Sequence, residues 1–198
     1  MFKSPKGVND VLPEEQVFWQ HIEKKINRIT RIYGYEKLGL PIFESTELFS
    51  RGVGETTDIV EKEMYTFKDK GDNSLTLRPE FTAGVMRAYL QNGMSNFSKP
   101  VKVWSLGPVF RYERPQAGRF RQHTQFNVEA IGVQDPALDV EIMSVAWQLY
   151  DELGFKNIIR IIDPGYVMNA KSELIKILSG FWIVKINNAK PSLIKPPA

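Results

Sequence analysis

The chain has 198 residues, 42% of them hydrophobic and 25% charged, which suffices for one sizeable core and excludes wholesale disorder. Its 26 basic and 23 acidic residues give a net charge of +3, which only weakly suggests an anionic partner. Because cysteine is absent and only two histidines occur, disulfides, a cysteine nucleophile and a histidine-rich metal cluster are excluded. Neither a long apolar run nor a signal-peptide core is present, so we expect a cytoplasmic protein with no membrane span.

The first predicted element is an amphipathic helix that begins at Pro13 and is closed by Gly34. Residues 35–40 alternate and run into Pro41, which predicts an edge strand because proline cannot donate a ladder hydrogen bond. A glycine-containing loop, residues 51–58, is expected to be mobile. The apolar side of the helix consists of Phe18, Ile22, Ile26, Ile29 and Tyr33.

Two hairpins and one helix are predicted in the middle of the chain. Residues 64–67 and 74–77 flank a polar turn, and residues 101–112 and 122–133 flank a longer loop, as expected of antiparallel hairpins. Between them a helix is predicted over 80–91, with Val85, Tyr89 and Leu90 on its apolar side.

A last helix starts at Pro136 and ends near Gly154, and residues 158–162 are a further strand candidate. Since the strands come mostly as hairpins, the predicted fold is α+β with a mainly antiparallel sheet flanked by helices. No P-loop and no GxGxxG after a strand occurs, which disfavours the two commonest nucleotide-binding folds.

The loop of the long hairpin is rich in arginine. Residues 111–121 read RYERPQAGRFR and hold four of the ten arginines, with one acid, Glu113. Guanidinium groups bind phosphate in a bidentate manner, so the loop suits a polyphosphate or an RNA end. A solvated hairpin tip with salt bridges explains the same composition equally well.

Polar residues flank this loop in two other places. Gln125 and Glu129 share one face of the strand that leaves the loop, and that face is either exposed to water or lines a polar pocket. Glu80 and Thr82 lie at a strand-to-helix junction, where an acid and a hydroxyl are also typical of a helix N-terminus.

Three segments together resemble the histidyl-tRNA synthetase family: KGVNDVLPEE, LTLRPEFTAGVMRAY and LGPVFRYERPQAGRFRQHTQFNVEAIG. Arg111–Arg114 resembles class II motif 2, and LGLPIFESTELF resembles motif 1, which lies at the dimer interface in that family. The resemblance implies a class II aminoacyl-tRNA synthetase fold, with ATP bent over the antiparallel sheet. It covers residues 6–155.

The resemblance also implies roles for single residues. Arg111 would hold the α-phosphate of ATP and the histidine carboxylate as the catalytic arginine, while Glu113 and Arg119 would help to seat ATP. Mg²⁺ would accompany ATP, and no protein metal site is expected. The remaining histidine-binding residues would be Glu80, Thr82, Gln125 and Glu129.

Some positions depart from the family pattern. His123 and Thr124 differ from the usual residues on the strand, and Phe81 replaces a residue that is often glycine and is expected to crowd the amino-acid entrance. Beyond residue 155 the second histidine-recognition segment, motif 3 and the anticodon-binding domain are not found. We therefore expect a partial catalytic domain over 1–155 and an atypical extension over 156–198.

The resulting expectation is a chain of histidine–tRNA ligase type that activates histidine with ATP and transfers it to tRNA(His), impaired by truncation. Two alternatives are a synthetase-like regulatory subunit of ATP phosphoribosyltransferase, against which the intact arginines count, and a non-catalytic dimerising fragment. Expected partners are histidine, ATP, the acceptor end of tRNA and a second copy of the chain.

Overall fold

The computed structural model describes residues 2–52, 63–114, 120–155 and 183–186. Its helices are α1 Pro13–Ile32, α2 Thr46–Gly52, α3 Thr82–Gln91 and α4 Pro136–Glu152, with a 3-10 turn at Met94–Asn96. Its strands are β1 Glu36–Lys37, β2 Phe43–Ser45, β3 Tyr65–Lys68, β4 Ser74–Leu77, β5 Val101–Phe110, β6 Gln122–Ile131 and β7 Ile183–Ile186. None of the helices within these ranges is long and apolar enough to cross a membrane.

Helix α1 forms where the apolar spacing predicts it. Pro13 occupies the first turn, and the Glu15 carboxylate accepts the backbone N–H of Leu12 at 3.1 Å, which satisfies a donor at the helix start. Gly34 follows the helix with φ +74°, a conformation that glycine adopts without strain. The helix buries its Ile22, Ile26 and Ile29 side chains.

The strands form two sheets. The larger one has the order β1-β5-β6-β7, and its centre is the ten-residue antiparallel pairing of β5 with β6. The smaller one has the antiparallel order β2-β4-β3. Both predicted hairpins and the mainly antiparallel sheet are thus confirmed. The predicted edge strand at 35–40 is indeed at the edge, but only Glu36 and Lys37 pair, and they pair in parallel with β5.

The two faces of the large sheet differ in chemistry. On one face Trp104, Phe126 and Val128 pack against α1 and α4 in the larger apolar cluster. On the other face a smaller apolar cluster around α3 contains Phe81, Val85 and Ile131. The polar residues of β6 lie on this second face, beside α3.

Helix α4 is capped by Asp135, whose carboxylate accepts the backbone N–H of Ala137 at 2.9 Å. It begins at Pro136 as predicted, buries Leu149 completely, and is followed by Gly154 at φ +79°. Its apolar side packs in the larger apolar cluster, together with α1 and the sheet.

The structure corrects the predicted start of one helix and part of a predicted loop, and two predicted segments lie partly or wholly outside the described residues. Helix α3 begins at Thr82 rather than Glu80, because the Glu80 side chain caps its N-terminal N–H groups, and Leu90 is 69% exposed. Residues 51–52 of the predicted loop belong to α2. The rest of that loop, residues 53–58, and the strand candidate at 158–162 lie outside the described residues.

Candidate active site

A row of buried polar side chains runs along one face of β6. His123, Gln125, Asn127 and Glu129 occupy alternate positions of the strand and are all buried. The residues between them, such as Phe126 and Val128, face the apolar cluster beneath α1 and α4. The sequence left open whether this face is exposed or lines a pocket, and its burial favours a polar pocket.

Glu129 is the most deeply buried acid of the site. Its Oε1 accepts hydrogen bonds from the Thr82 hydroxyl at 2.9 Å and from the Asn127 amide at 3.0 Å. Burial raises the pKa of Glu129 to about 8, opposed by those two hydrogen bonds and reinforced by the nearby charge of Glu80. Thr82 and Glu129, two predicted site residues 47 positions apart, are therefore in direct contact.

Glu80 caps the N-terminus of α3. Its Oε1 accepts the backbone N–H of Ala83 at 2.9 Å, and its Oε2 accepts that of Thr82. Burial raises the pKa of the Glu80 carboxyl, while these hydrogen bonds and the charge of Arg111 act in the opposite direction. The capping explanation is therefore confirmed, and the cap holds this acid within the electrostatic reach of Glu129.

Arg111 lies at the end of β5, against the segment that carries Glu80. Its Nε donates to the carbonyl of Pro79 at 2.9 Å, and its Nη1 lies 3.9 Å from Oε1 of Glu113. The backbone N–H of Phe110 donates to the carbonyl of Arg78 at 3.0 Å, which holds the two segments together. The Arg111 guanidinium is thus close enough to the buried Glu80 to act on it electrostatically.

Gln125 lies between these groups on the same face of β6. It is completely buried, and neither atom of its amide has a hydrogen-bond partner among the described residues. Gly107 is its partner across the hairpin, and a Cβ at Gly107 would lie 2.7 Å from Nη2 of Arg78. The absence of a side chain at Gly107 therefore makes room for a second arginine on this face.

Arg78 is a structural arginine that the sequence did not single out. Its guanidinium donates to the carbonyls of Pro108 and Leu40, both at 2.8 Å, and stacks 4.4 Å from the centre of the Phe81 ring. Burial lowers the pKa of Arg78. Phe81, which the sequence placed at the entrance, is buried in the apolar cluster around α3. The position of Arg78, directly after the strand β4, was the signal in the sequence that could have identified it.

The arginine-rich loop is described only in part. Arg119, the predicted phosphate ligand, lies outside the described residues. At the base of the loop Arg121 stacks 4.0 Å from the ring centre of Tyr112, which in turn packs edge-to-face on Tyr65. Among the residues of the described ranges, no group of three or more acidic or histidine side chains is arranged to hold a metal ion.

The arrangement suits a small ligand that carries a positively charged group and a negatively charged group. Carboxylates and a hydroxyl accept hydrogen bonds from an ammonium group, and a guanidinium at the rim binds a carboxylate or a phosphate. Of the seven predicted site residues, Glu80, Thr82 and Glu129 are linked through hydrogen bonds, with Thr82 bonded to both acids, and Arg111 acts electrostatically on Glu80. Gln125 shares their face, and Glu113 adjoins Arg111.

The chain is similar to known proteins of one family. The family model described as "Histidyl-tRNA synthetase" matches residues 7–164. A histidine–tRNA ligase of Desulfitobacterium hafniense is 57% identical over 154 residues, which are 78% of this chain and 36% of the relative. The chain thus spans about a third of the length of that relative.

Solved structures give the same result. The apo histidyl-tRNA synthetase of S. aureus superposes with a TM-score of 0.67 at 42% identity, covering 79% of this chain and 36% of that one. A Bacillus halodurans structure titled as an ATP phosphoribosyltransferase regulatory subunit/histidyl-tRNA synthetase has a TM-score of 0.68, covering 79% of this chain and 39% of that one. At 24% identity it supports the fold alone.

A mainly antiparallel sheet flanked by helices, shared with a solved histidyl-tRNA synthetase, defines the chain's fold as that of a class II aminoacyl-tRNA synthetase. Within that class, the match over residues 7–164 is decisive. The chain belongs to the histidyl-tRNA synthetase family.

Proposed function

We propose that this chain is part of a histidine–tRNA ligase, which activates histidine with ATP to histidyl-adenylate and transfers it to tRNA(His). The observation that carries the proposal is the contact of Thr82 with Glu129 beside the capped Glu80, on the sheet face that Arg111 borders. The regulatory-subunit alternative is less favoured, because the curated relatives at about 50% identity are named as ligases.

The amino-acid end of the site consists of Glu80, Thr82, Gln125 and Glu129 in this proposal. The ammonium group of histidine meets the carboxylates, and the buried amide of Gln125 completes the pocket. A buried acid recovers its desolvation cost only when it is paired, so the pocket selects cationic amines over neutral analogues. Histidine binding also favours the ionised form of Glu129, whose pKa burial raises.

The nucleotide end of the site contains Arg111, Glu113 and Arg119 in this proposal. Arg111 binds the α-phosphate and the histidine carboxylate, which brings the attacking oxygen to phosphorus and stabilises the charge that develops there. Glu113 contacts the adenine side and Arg119 the phosphates. Mg²⁺ bound to ATP would supply charge neutralisation for the pyrophosphate leaving group.

We also propose a homodimer in the cytoplasm and contact with the acceptor end of tRNA, which weakens as salt rises. The three-stranded sheet supports the dimer, since Phe43 and Phe67 form an edge-to-face pair there while remaining 51% and 42% exposed. Static light scattering on the chain tests this proposal. A monomeric mass across the accessible concentration range would contradict it.

Calorimetric titration of the chain with histidine, a panel of other amino acids and ATP tests the proposed function. We expect saturable binding of histidine and of ATP, with histidine preferred over amino acids of similar size. Histidine-dependent ATP–pyrophosphate exchange then measures how much of the chemistry this chain supports. If neither ligand binds, the proposal is wrong and the chain is a folded piece without a catalytic role.

A further inference from the structure

Asn127 is a buried residue of the site that no sequence motif singled out. It is completely inaccessible to solvent and lies on the polar face of β6, between Gln125 and Glu129. Asparagine is unfavourable in the middle of a central strand, and a buried amide is costly unless it is hydrogen-bonded. Its presence there therefore requires an explanation in terms of its contacts.

Asn127 and Thr82 both donate a hydrogen bond to the same carboxylate oxygen of Glu129. The Asn127 amide nitrogen donates to Oε1 of Glu129 at 3.0 Å, and the Thr82 hydroxyl donates to the same oxygen at 2.9 Å. The amide nitrogen of Asn127 faces Glu129, as a donor to the ionised carboxylate must, and the amide oxygen faces away. Neither that oxygen nor Oε2 of Glu129 has a partner among the described residues.

We propose that Asn127 is a positioning residue of the amino-acid pocket: together with Thr82 it fixes Oε1 of Glu129, so that Oε2 is presented to the ammonium group of the ligand. This inference rests on the proposed function for the identity of the ligand. The positioning itself follows from two donors that converge on one carboxylate oxygen from two elements, α3 and β6.

The charge environment explains why two donors are needed. Of the charged groups described around the site, Glu80 acts on Glu129 with like charge, and the positive charge of Arg111 acts on Glu80. Hydrogen bonds to the ionised carboxylate oppose the cost of burying it. Without Asn127 the carboxyl would be held by Thr82 alone, free to rotate and harder to ionise.

The test compares Asn127→Leu, which keeps the approximate shape without the donor, with Ser105→Ala. Ser105 is the matched control because it is buried, pairs with Asn127 across the hairpin, and donates to the carbonyl of Leu38 at 2.7 Å. Two quantities are measured on the full chain: the titration of the Glu129 carboxyl by ¹³C NMR without ligand, and the histidine dissociation constant by calorimetry.

We expect Asn127→Leu to raise the pKa of Glu129 and to weaken histidine binding about 10- to 100-fold, which corresponds to the loss of a hydrogen bond to a charged group. Ser105→Ala should change neither quantity by more than about twofold. Asn127→Ala, which introduces no bulk, replaces the leucine variant if the latter does not fold, as judged by circular dichroism.

An unchanged Glu129 titration in a folded Asn127 variant would overturn the inference, whether or not histidine binding weakens, because the residue would then act through packing. If the unmodified chain binds no histidine, the proposed function fails, but the NMR titration still decides the role of Asn127. The two failures are thus distinguishable.

Discussion

Among single residues, Glu129 has a proposed role in ligand binding and also makes the stability of the fold depend on pH. Burial raises its pKa to about 8, so the folded chain binds this proton more tightly than the unfolded chain does. The associated stability is fully present below the ordinary pKa of a glutamate. It is lost as the pH rises from there through about 8.

Replacement of the acid should therefore remove this contribution to the pH dependence. We expect the change in the free energy of unfolding caused by Glu129→Gln to be more favourable at about pH 9 than at about pH 4, by a few kcal/mol. The reason is that the variant has no buried carboxyl to ionise at the higher pH. The same variant should lose histidine binding. Urea unfolding at the two pH values measures the first effect, with the exposed Glu23→Gln as control. A pH-independent difference would contradict the assignment.

Gly107 is the second residue with a specific consequence. We expect Gly107→Ala to lower the free energy of unfolding by about 1–3 kcal/mol, because its Cβ would lie 2.7 Å from an Arg78 guanidinium that is held by backbone carbonyls. Gly39→Ala is the matched control, since its Cβ would meet nothing within 4 Å. Equal unfolding midpoints for the two variants would show that Arg78 moves aside freely.

The elements of the fold follow from local signals to different degrees. Periodicity predicted α1 and α4 because both bury one apolar stripe, and turn residues predicted the hairpins. The start of α3 was misplaced because Glu80 acts as a cap from outside the helix. The short pairing of β1 could not be predicted, since a parallel partner distant in sequence decides it.

The candidate site was predictable only where a motif marked it. The positions of Glu80, Thr82 and Glu129 stood out in the sequence pattern, whereas their roles and that of Arg111 came from the family resemblance. The structure brings Thr82 into contact with Glu129 and Arg111 against the segment that carries Glu80. Arg78 and Asn127 were not found, because their partners are set by tertiary contacts rather than by spacing along the chain.

Helix capping gives a prediction at the element scale. We expect Asp135→Ala to lower the free energy of unfolding by about 1 kcal/mol, because the Ala137 N–H at the start of α4 loses its acceptor. Gln134→Ala changes the exposed neighbouring position and serves as the control. Chemical denaturation monitored by far-UV circular dichroism measures both. Identical unfolding midpoints for the two variants would contradict the prediction, because water would then satisfy the Ala137 N–H as well as Asp135 does.

In the molecule as a whole, the large sheet lies between the larger apolar cluster and the polar residues of the candidate site. The larger apolar cluster, under α1 and α4, lies on the face opposite to the acids. Substitutions in that cluster should therefore change the free energy of unfolding without changing what the pocket binds.

Leu149 tests this separation because it is completely buried in α4. We expect Leu149→Ala to lower the free energy of unfolding by about 2–5 kcal/mol while leaving histidine affinity unchanged well below the unfolding temperature. Val140→Ala, an exposed site on the same helix, controls for helix propensity. A proportional loss of affinity would indicate that the two faces are coupled.

The alternation along β6 has one more consequence, for how the hairpin finds its pairing. If β6 slipped by a single residue against β5, Gln125, Asn127 and Glu129 would turn into the apolar layer, and Phe126 and Val128 would replace them. Both changes are unfavourable, so the same residues that form the pocket also penalise mispaired states during folding.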